Sequence, residues 1–99
     1  MKARLLLKDK FTDEQGHLIE RVVWSVPLSL LHPEGVRYRL AFIPRGTRGP
    51  AVLYDNHHSK GHHKHLEDSQ EPYLFADVDQ LMIDFENDIA RWKNTRRPQ

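Results

Sequence analysis

The sequence of 99 residues contains no cysteine. Without cysteine the chain can form neither a disulfide framework nor a thiolate nucleophile or metal ligand. It also lacks an apolar run close in length to the roughly 18 residues that a membrane-spanning helix requires. Its basic N-terminal segment holds only three leucines before Lys8, which is too few for a secretory signal. We therefore expect a cytoplasmic protein with no membrane span.

The amino-acid composition also does not depart strongly from that of an ordinary globular protein. Hydrophobic residues make up 38% of the chain and charged residues 29%, which is typical of a soluble globular protein. A chain of this length forms one domain with one modest core. We expect residues 1–93 to form a single compact α+β domain and residues 94–99, which have no apolar side chain, to form a flexible basic tail.

The formal net charge is only +1, but the charges are unevenly distributed along the sequence. Residues 36–65 hold six lysines and arginines against one acid, whereas residues 66–90 hold eight acids and neither lysine nor arginine. This segregation predicts either a cationic face of the kind that binds nucleic acid, or two blocks that neutralise each other across the fold. The sequence leaves both interpretations open.

Alternation of apolar and polar residues predicts an antiparallel sheet of about four strands. The clearest strand spans residues 36–42, in which apolar residues alternate with Arg37 and Arg39, so burying one face leaves both arginines on the other. The alternation in residues 18–26 is less regular. We expect Trp24 to lie in the core with the other apolar residues of that strand, the alternative being a platform on which bases stack. The remaining strands are a first one around Leu5 and Leu7 and a fourth at residues 51–54.

One amphipathic helix is predicted near the C-terminus. Apolar residues recur there at helical spacing, and Asp77 before them suits an N-cap. The apolar face should pack on the sheet, whereas the polar residues 66–72 are expected to form a loop. The apolar positions of the helix are Val78, Leu81, Met82, Phe85, Ile89 and Trp92. These elements predict an α+β fold, an antiparallel sheet of about four strands packed against one C-terminal amphipathic helix.

The stretch at residues 54–65 is the densest in chemistry, because it holds five of the seven histidines. Imidazole has an unperturbed pKa of about 6.5 and can donate or accept protons at neutral pH. If residues 62–65 are extended, His63 and His65 project from the same face, with Cα atoms about 6.5 to 7 Å apart. We expect both rings to be held side by side, open to solvent and close to positive charge.

Two such imidazoles could cleave RNA without a metal ion. One takes the proton of a 2′-hydroxyl, the other protonates the departing 5′ oxygen, and cations stabilise the charge that develops on the phosphate. Gly61 allows the chain to turn and a phosphate to approach the backbone closely. The candidate phosphate-binding residues are Lys60, Lys64, Arg37 and Arg39.

Other interpretations of the same stretch remain. The five histidines and Asp55 exceed the ligands that zinc needs, although their spacing matches no common zinc motif. A run of exposed histidines and lysines is also typical of a solvated loop, and Asp55 and Asn56 commonly serve as a turn or cap, since their side chains bond to nearby backbone. A catalytic pair, a metal-binding module and a plain loop are all compatible with these residues.

Several short motifs occur in a characteristic order along the chain. They are Val23-Trp24…Val26-Pro27, Tyr38-Arg39-Leu40, Tyr54-Asp55-Asn56, Lys60-Gly61, His63-Lys64-His65, Glu71-Pro72-Tyr73 and Asp84-Phe85…Asp88. This ordered set resembles the TumE-like toxin family of bacterial and archaeal toxin–antitoxin modules. The resemblance covers nearly the whole chain, and its most specific part is Tyr-Asp-Asn followed by Lys-Gly and His-basic-His.

The resemblance implies a small toxin paired with a separately encoded DNA-binding antitoxin, in a family thought to include RNases. The residues that fall on the family pattern are Asp55, Asn56, Lys60, Gly61, His63, Lys64 and His65. The histidines at positions 57, 58 and 62 are not fixed parts of it. A metal site needs those extra histidines, so the resemblance favours His63 and His65 as the functional pair.

We therefore predict a toxin that acts as a metal-independent endoribonuclease, with His63 and His65 as the catalytic acid/base pair. No metal or other cofactor is expected; RNA and the antitoxin are the expected partners, and formation of a homodimer stays open. Lys60, Lys64, Arg37 and Arg39 would bind phosphate and RNA, and Tyr54, Asp55, Asn56 and Gly61 would build the site. The alternatives are a non-catalytic RNA-binding or translation-blocking protein and a histidine-cluster metal-binding module.

Overall fold

The computed structural model describes residues 2–57 and 61–96, and it has an α+β fold in which an antiparallel sheet precedes one C-terminal helix. The predicted fold class is confirmed. Within the described ranges, no helix is long and apolar enough to cross a membrane. The strands are β1 (Arg4–Thr12), β2 (Leu18–Ser25), β3 (Val36–Ile43), β4 (Val52–Asp55), β5 (His63–Leu66) and β6 (Ser69–Pro72), and the helix is α1 (Val78–Thr95).

The sheet is a meander in which each strand pairs with the next one along the chain, in the order β1-β2-β3-β4-β5-β6. It has six strands rather than the expected number of about four, because residues 63–66 form β5 and residues 69–72, expected in a loop, form β6. Leu66 pairs with Ser69 across a two-residue turn in which Glu67 has a φ of 56°. β6 is an exposed edge strand, so no alternation of apolar residues marks it in the sequence.

α1 begins where the sequence predicts its N-cap. The Asp77 carboxylate accepts a hydrogen bond of 2.8 Å from the backbone N–H of Gln80, which satisfies one of the free N–H groups at the helix start. The buried face carries Leu81, Phe85 and Ile89, which pack with the sheet in one core. The sheet residues of that core are Val23, Val36, Tyr38, Leu40, Phe42, Ala51, Val52 and Tyr54.

The side of β2 that faces the core is not the side predicted from the sequence. Val23 is fully buried opposite Tyr38, whereas the neighbouring Trp24 is 36% exposed opposite Arg37. Directly paired residues of antiparallel strands point to the same side of the sheet, so the regular alternation of β3 decides where each residue of β2 points. The expectation that Trp24 lies in the core is therefore wrong.

The two sides of the sheet differ in character. We call the side packed on α1 the helix face and the opposite side the open face. No helix or strand within the described residues packs on the open face. By register, its charged and ring-bearing residues are Lys8, Lys10, Glu20, Trp24, Arg37, Arg39, Asp55, His63 and His65.

We expect the core contact of α1 to dominate stability. Phe85→Ala removes a ring that is 1% exposed and should lower the free energy of unfolding by about 3–5 kcal/mol, because apolar burial is lost and a cavity is left. Ile83→Ala on the same helix is the matched control, since Ile83 is 49% exposed and its truncation should change stability by at most about 0.5 kcal/mol. Urea unfolding of both variants measures the difference, and equal losses would contradict the packing described here.

Candidate functional site

The pairing of β4 with β5 brings two histidines and a carboxylate together. His63 pairs with Asp55 and His65 pairs with Leu53, so both histidines lie on the open face while the residue between them points to the helix face. The ring centroids of His63 and His65 are 5.2 Å apart, and the ring planes meet at 73°. The two imidazoles are therefore side by side.

His63 is more enclosed than expected, at 8% exposed, so the prediction of an open ring is wrong for it. Its Nδ1 donates a hydrogen bond of 3.0 Å to the backbone carbonyl of Gly61, and its Nε2 lies 2.8 Å from Oδ1 of Asp55. The Asp55 contact is close but lacks hydrogen-bond alignment, since Oδ1 has no hydrogen-bond partner among the described residues.

His65 is partly buried, but its ring nitrogens are not engaged. Within residues 2–57 and 61–96 it makes no hydrogen bond and no ion pair, and its ring contact is with His63. A free imidazole nitrogen can exchange a proton with a bound molecule. Of the pair, His65 is the one that can act as a base without first losing a contact.

Gly61 supplies the carbonyl that positions the His63 ring. Its φ is +74°, in the left-handed region that a side chain disfavours by roughly 1–2 kcal/mol. No heavy atom of residues 2–57 and 61–96 would lie within 4 Å of a Cβ at this position. Glycine is therefore suited to this position by its backbone conformation.

Arg37 and Arg39 share the open face with the histidine pair. Arg39 is registered directly opposite Asp55, and its guanidinium lies 3.6 Å from Oε2 of Glu20. Arg37 is exposed, and in the described part of the chain it makes no ion pair and no side-chain hydrogen bond. Arg39, Asp55 and His63 form a row across β3, β4 and β5. Cationic side chains therefore stand beside the two imidazoles.

Lys64 is not brought together with the histidines. Because side chains alternate along β5, it points to the helix face, where its Nζ lies 3.2 Å from Oδ2 of Asp88 and 3.5 Å from Oε1 of Glu71. Its charge is matched there by these two carboxylates. Lys60, the other lysine predicted to bind phosphate, lies outside the described residues.

Tyr54 also points to the helix face, where it joins the sheet to α1. It is fully buried, and its hydroxyl donates a hydrogen bond to the carboxylate of Asp88, which is 6% exposed. Burial, together with the bond to Asp88, raises the pKa of Tyr54 above its usual value, so the phenol stays protonated and donates. Nearby, the Tyr73 hydroxyl donates to Asp84 at 2.5 Å, and burial likewise raises the pKa of Tyr73.

These polar contacts of α1 were not predicted from the sequence. Asp84 and Asp88 lie four positions apart, which is one helical turn, and both occur in the ordered motifs. That spacing was the available indication that two carboxylates share one side of the helix. Their partners could not be found in the same way, because Tyr54 and Tyr73 come from separate parts of the chain.

Asn56 ties the end of β4 to β3. It is 1% exposed; its Oδ1 accepts a hydrogen bond of 2.9 Å from the backbone N–H of Tyr38, and its Nδ2 donates one of 2.8 Å to the carbonyl of Val36. The partners are backbone groups of another strand rather than the nearby backbone of a turn. Asn56 therefore continues the pairing of β3 and β4 beyond the last residue of β4.

His62 is held by the fold rather than presented to solvent. Its ring stacks on Phe75 with centroids 4.6 Å apart, and its Nε2 lies 2.8 Å from Oε1 of Glu34. Its Nδ1 lies 2.8 Å from the hydroxyl of Tyr38, whose pKa is raised by burial, so the phenol keeps the proton that it shares with the ring. His62 and His63 line a cleft of about 410 Å³ beside β6.

The positions of the described residues give no support to the alternative of a metal site. Within residues 2–57 and 61–96, no group of three or more histidines and carboxylates is placed to hold a metal ion. His58 lies outside these ranges. The ring of His62 is engaged on both nitrogens, as is that of His63.

Charge is separated across the sheet. The open face carries Arg37 and Arg39, whereas the acids of α1 lie on the opposite side of the molecule. Among the described ion pairs, the basic and acidic blocks meet at Lys64, which contacts Asp88 and Glu71. The open face also carries Glu20 and Asp55, so both interpretations of the charge segregation stay predictions. The acids of α1 are Asp79, Asp84, Glu86 and Asp88.

Comparison with known proteins identifies a family. A family model described as Toxin TumE matches residues 2–93, a range that includes every residue of the candidate site. Neither the curated proteins nor the solved structures gave a match. The match confirms the family that the ordered motifs predict.

We expect Asn56→Ala to destabilise the fold. It leaves the buried N–H of Tyr38 and the carbonyl of Val36 without partners, so the free energy of unfolding should fall by about 2–4 kcal/mol. Asn87→Ala, at an exposed position of α1, is the control and should stay within about 0.5 kcal/mol of the wild type. Chemical unfolding measures both values. Hydrogen exchange of the Tyr38 amide should accelerate in Asn56→Ala alone, and an unchanged rate would argue against this role.

Proposed function

The chain belongs to the TumE toxin family, and from that premise we propose that it is the toxin of a toxin–antitoxin module and cleaves RNA without a metal ion. Membership of a toxin family implies an antitoxin as partner. One observation carries the nuclease proposal: two imidazole rings lie 5.2 Å apart on an open face that also holds two arginines.

His65 is the base in this proposal. Its nitrogens have no competing partner among the described residues, so it can take the proton of the 2′-hydroxyl directly. The freed 2′ oxygen attacks the adjacent phosphorus, and the bond between phosphorus and the 5′ oxygen breaks. The products are a 2′,3′-cyclic phosphate and a 5′-hydroxyl end.

His63 is the acid. In this proposal it carries a proton on both ring nitrogens: the Nδ1 proton is held by the Gly61 carbonyl, and the Nε2 proton passes to the departing 5′ oxygen. The contact of Nε2 with Asp55 lacks hydrogen-bond alignment, so the leaving oxygen can compete for that proton. One proton is gained by His65 and one is lost by His63, so the pair is restored when the cyclic phosphate is later hydrolysed or solvent exchanges protons with both rings.

Arg37 and Arg39 bind the phosphates in this proposal. They lie on the same face as the histidines, and their charge opposes the negative charge that develops on the non-bridging oxygens. Lys60 is retained as a further phosphate ligand. Lys64 is left out, because it points to the helix face and is paired with Asp88 and Glu71. A DNA-binding antitoxin would then inhibit the toxin by covering the open face.

One observation favours a second candidate, a non-catalytic RNA-binding or translation-blocking protein. His63 is 8% exposed and both of its nitrogens are engaged, as expected for a histidine that supports the backbone around it. In that case the open face binds RNA, and neither imidazole transfers a proton. Cleavage and binding must therefore be measured separately.

The purified protein should cleave RNA in the presence of excess chelator, leaving 2′,3′-cyclic phosphate ends. His65→Ala should lower the cleavage rate by about 10²- to 10⁴-fold, because the base is lost, and His63→Gln should lower it within the same range. Gel analysis of cleavage and of the end groups provides the measurement.

His32→Ala is the matched control for that experiment, since His32 lies in the loop between β2 and β3 and not on the open face. It should cleave like the wild type. RNA binding without cleavage by the wild type would favour the non-catalytic candidate, and activity restored only by zinc would favour a metal site.

We expect the open face, rather than overall charge, to bind RNA. Arg37→Ala should weaken binding of uncleavable 2′-O-methyl RNA and reduce the slope of log K against log salt by about 0.7, the value for one contact to a single strand. Arg91→Ala removes the same charge from the opposite side of the molecule, where Arg91 is 74% exposed, and should change neither quantity. Equal effects of the two substitutions would mean that only net charge matters. Fluorescence anisotropy at several salt concentrations measures both.

A further inference from the structure

Trp24 presents an aromatic ring on the open face, and this ring has no aromatic or charged partner among the described side chains. It is 36% exposed, and within residues 2–57 and 61–96 it makes no ring contact, no cation–π contact and no side-chain hydrogen bond. Its partners on the neighbouring strands are Leu5 and Arg37. Arg37 likewise makes no ion pair there, so an aromatic ring and a free guanidinium stand next to each other.

The charges around Trp24 suit a polyanion. Lys8 and Lys10 lie on the same face along β1, and Arg37 and Arg39 lie there along β3, so cations flank the tryptophan on both neighbouring strands. The acids of α1 are on the other side of the sheet. Proteins that bind single-stranded nucleic acid combine a positively charged surface along the backbone with aromatic rings on which bases stack. The open face has both parts.

The distance from Trp24 to the histidine pair suits a short strand of RNA. Trp24 lies on β2 and His63 on β5, which is three strands away, and the two residues are offset by two positions along the strands. With a strand spacing of about 4.8 Å and a rise of about 3.4 Å per residue, the distance between the two positions is roughly 16 Å. A stacked strand that advances about 3.4 Å per nucleotide covers this span with roughly five nucleotides, and an extended strand covers it with fewer.

We propose that Trp24 is a base-stacking subsite that holds an unpaired nucleotide of the RNA a few positions away from the phosphate at His63 and His65, with Arg37 on the intervening backbone. The inference rests on the proposed function and adds a substrate class to it. A base inside a duplex already stacks on its neighbours, whereas an unpaired base can stack on a side chain. The favoured substrate is therefore single-stranded RNA that extends several nucleotides to one side of the cleaved bond.

Tryptophan fluorescence can test the subsite independently of cleavage. The chain has two tryptophans, so Trp92→Phe leaves Trp24 as the only one. Titrating this variant with a mixed-sequence 2′-O-methyl RNA of ten nucleotides, which cannot be cleaved because the 2′ oxygen is blocked, should quench the fluorescence with the same midpoint as binding measured by anisotropy. A two-nucleotide RNA should bind more weakly, because even an extended dinucleotide is too short to reach from the histidine pair to Trp24.

Substitutions at Trp24 provide a second test of the subsite. Trp24→Ala should weaken binding of the ten-nucleotide RNA by about 5- to 100-fold, the range for loss of one stacked base, whereas Trp24→Phe should retain most of the affinity. Trp92→Phe alone is the control and should bind like the wild type. Melting curves of each variant show whether the fold is intact. The Trp24 variants should melt near their parents because Trp24 is on the surface, whereas Trp92→Phe loses a hydrogen bond to Glu67 and part of its contact with Phe42 and should melt lower.

The possible outcomes separate this inference from the nuclease proposal. Quenching with a weakened Trp24→Ala supports the subsite even if the wild type does not cleave RNA, in which case only the catalytic proposal fails. Unchanged affinity of Trp24→Ala, or no quenching while the RNA binds, overturns the subsite and leaves the catalytic proposal standing. Self-association that is lost in Trp24→Ala with RNA affinity unchanged also overturns it, and would assign the ring to a contact between two copies of the chain.

Discussion

The pairing register of β3, β4 and β5 is the constraint on which the rest of the structure depends. Side chains of a strand alternate between its two sides, so a shift of one residue would exchange every contact of that strand. In the observed register, Tyr54 and Lys64 meet Asp88 on the helix face, and His63 meets Asp55 on the open face. The core and the candidate site therefore depend on the same strand register, and a shift of that register would disrupt both.

Polar contacts reinforce this register where apolar contacts are few. β5 is four residues long, and its one apolar residue, Leu66, is partly buried against the core. The buried carboxylate of Asp88 binds Tyr54 and Lys64 from α1, and Asn56 bonds to the backbone of β3. Buried polar groups stabilise one arrangement mainly because breaking it would leave them unpaired. The histidine pair therefore stands on a firmly held strand.

Much of the fold was predictable, because local patterns are sufficient for it. The N-cap at Asp77 and the apolar periodicity of α1 depend on neighbours within a few residues, as does the alternation that places Arg37 and Arg39 on one side of β3. β6 was missed, since a polar edge strand carries no alternation. The side of β2 that faces the core was predicted wrongly for Trp24, because it is decided by pairing with β3 rather than by β2 itself.

For the site, the sequence by itself determined only the spacing: His63 and His65 share a face if residues 62–65 are extended, and the pairing of β5 with β4 in the tertiary structure decided that they are. It also determined the family, through the order of its motifs. Only the tertiary structure decided that Lys64 pairs with Asp88 and that His63 contacts Asp55 and Gly61. It also decided that the His65 nitrogens have no hydrogen-bond or ion-pair partner among the described residues. These differences arise from contacts between segments far apart in the chain, and the spacing of residues along one segment contains no information about them.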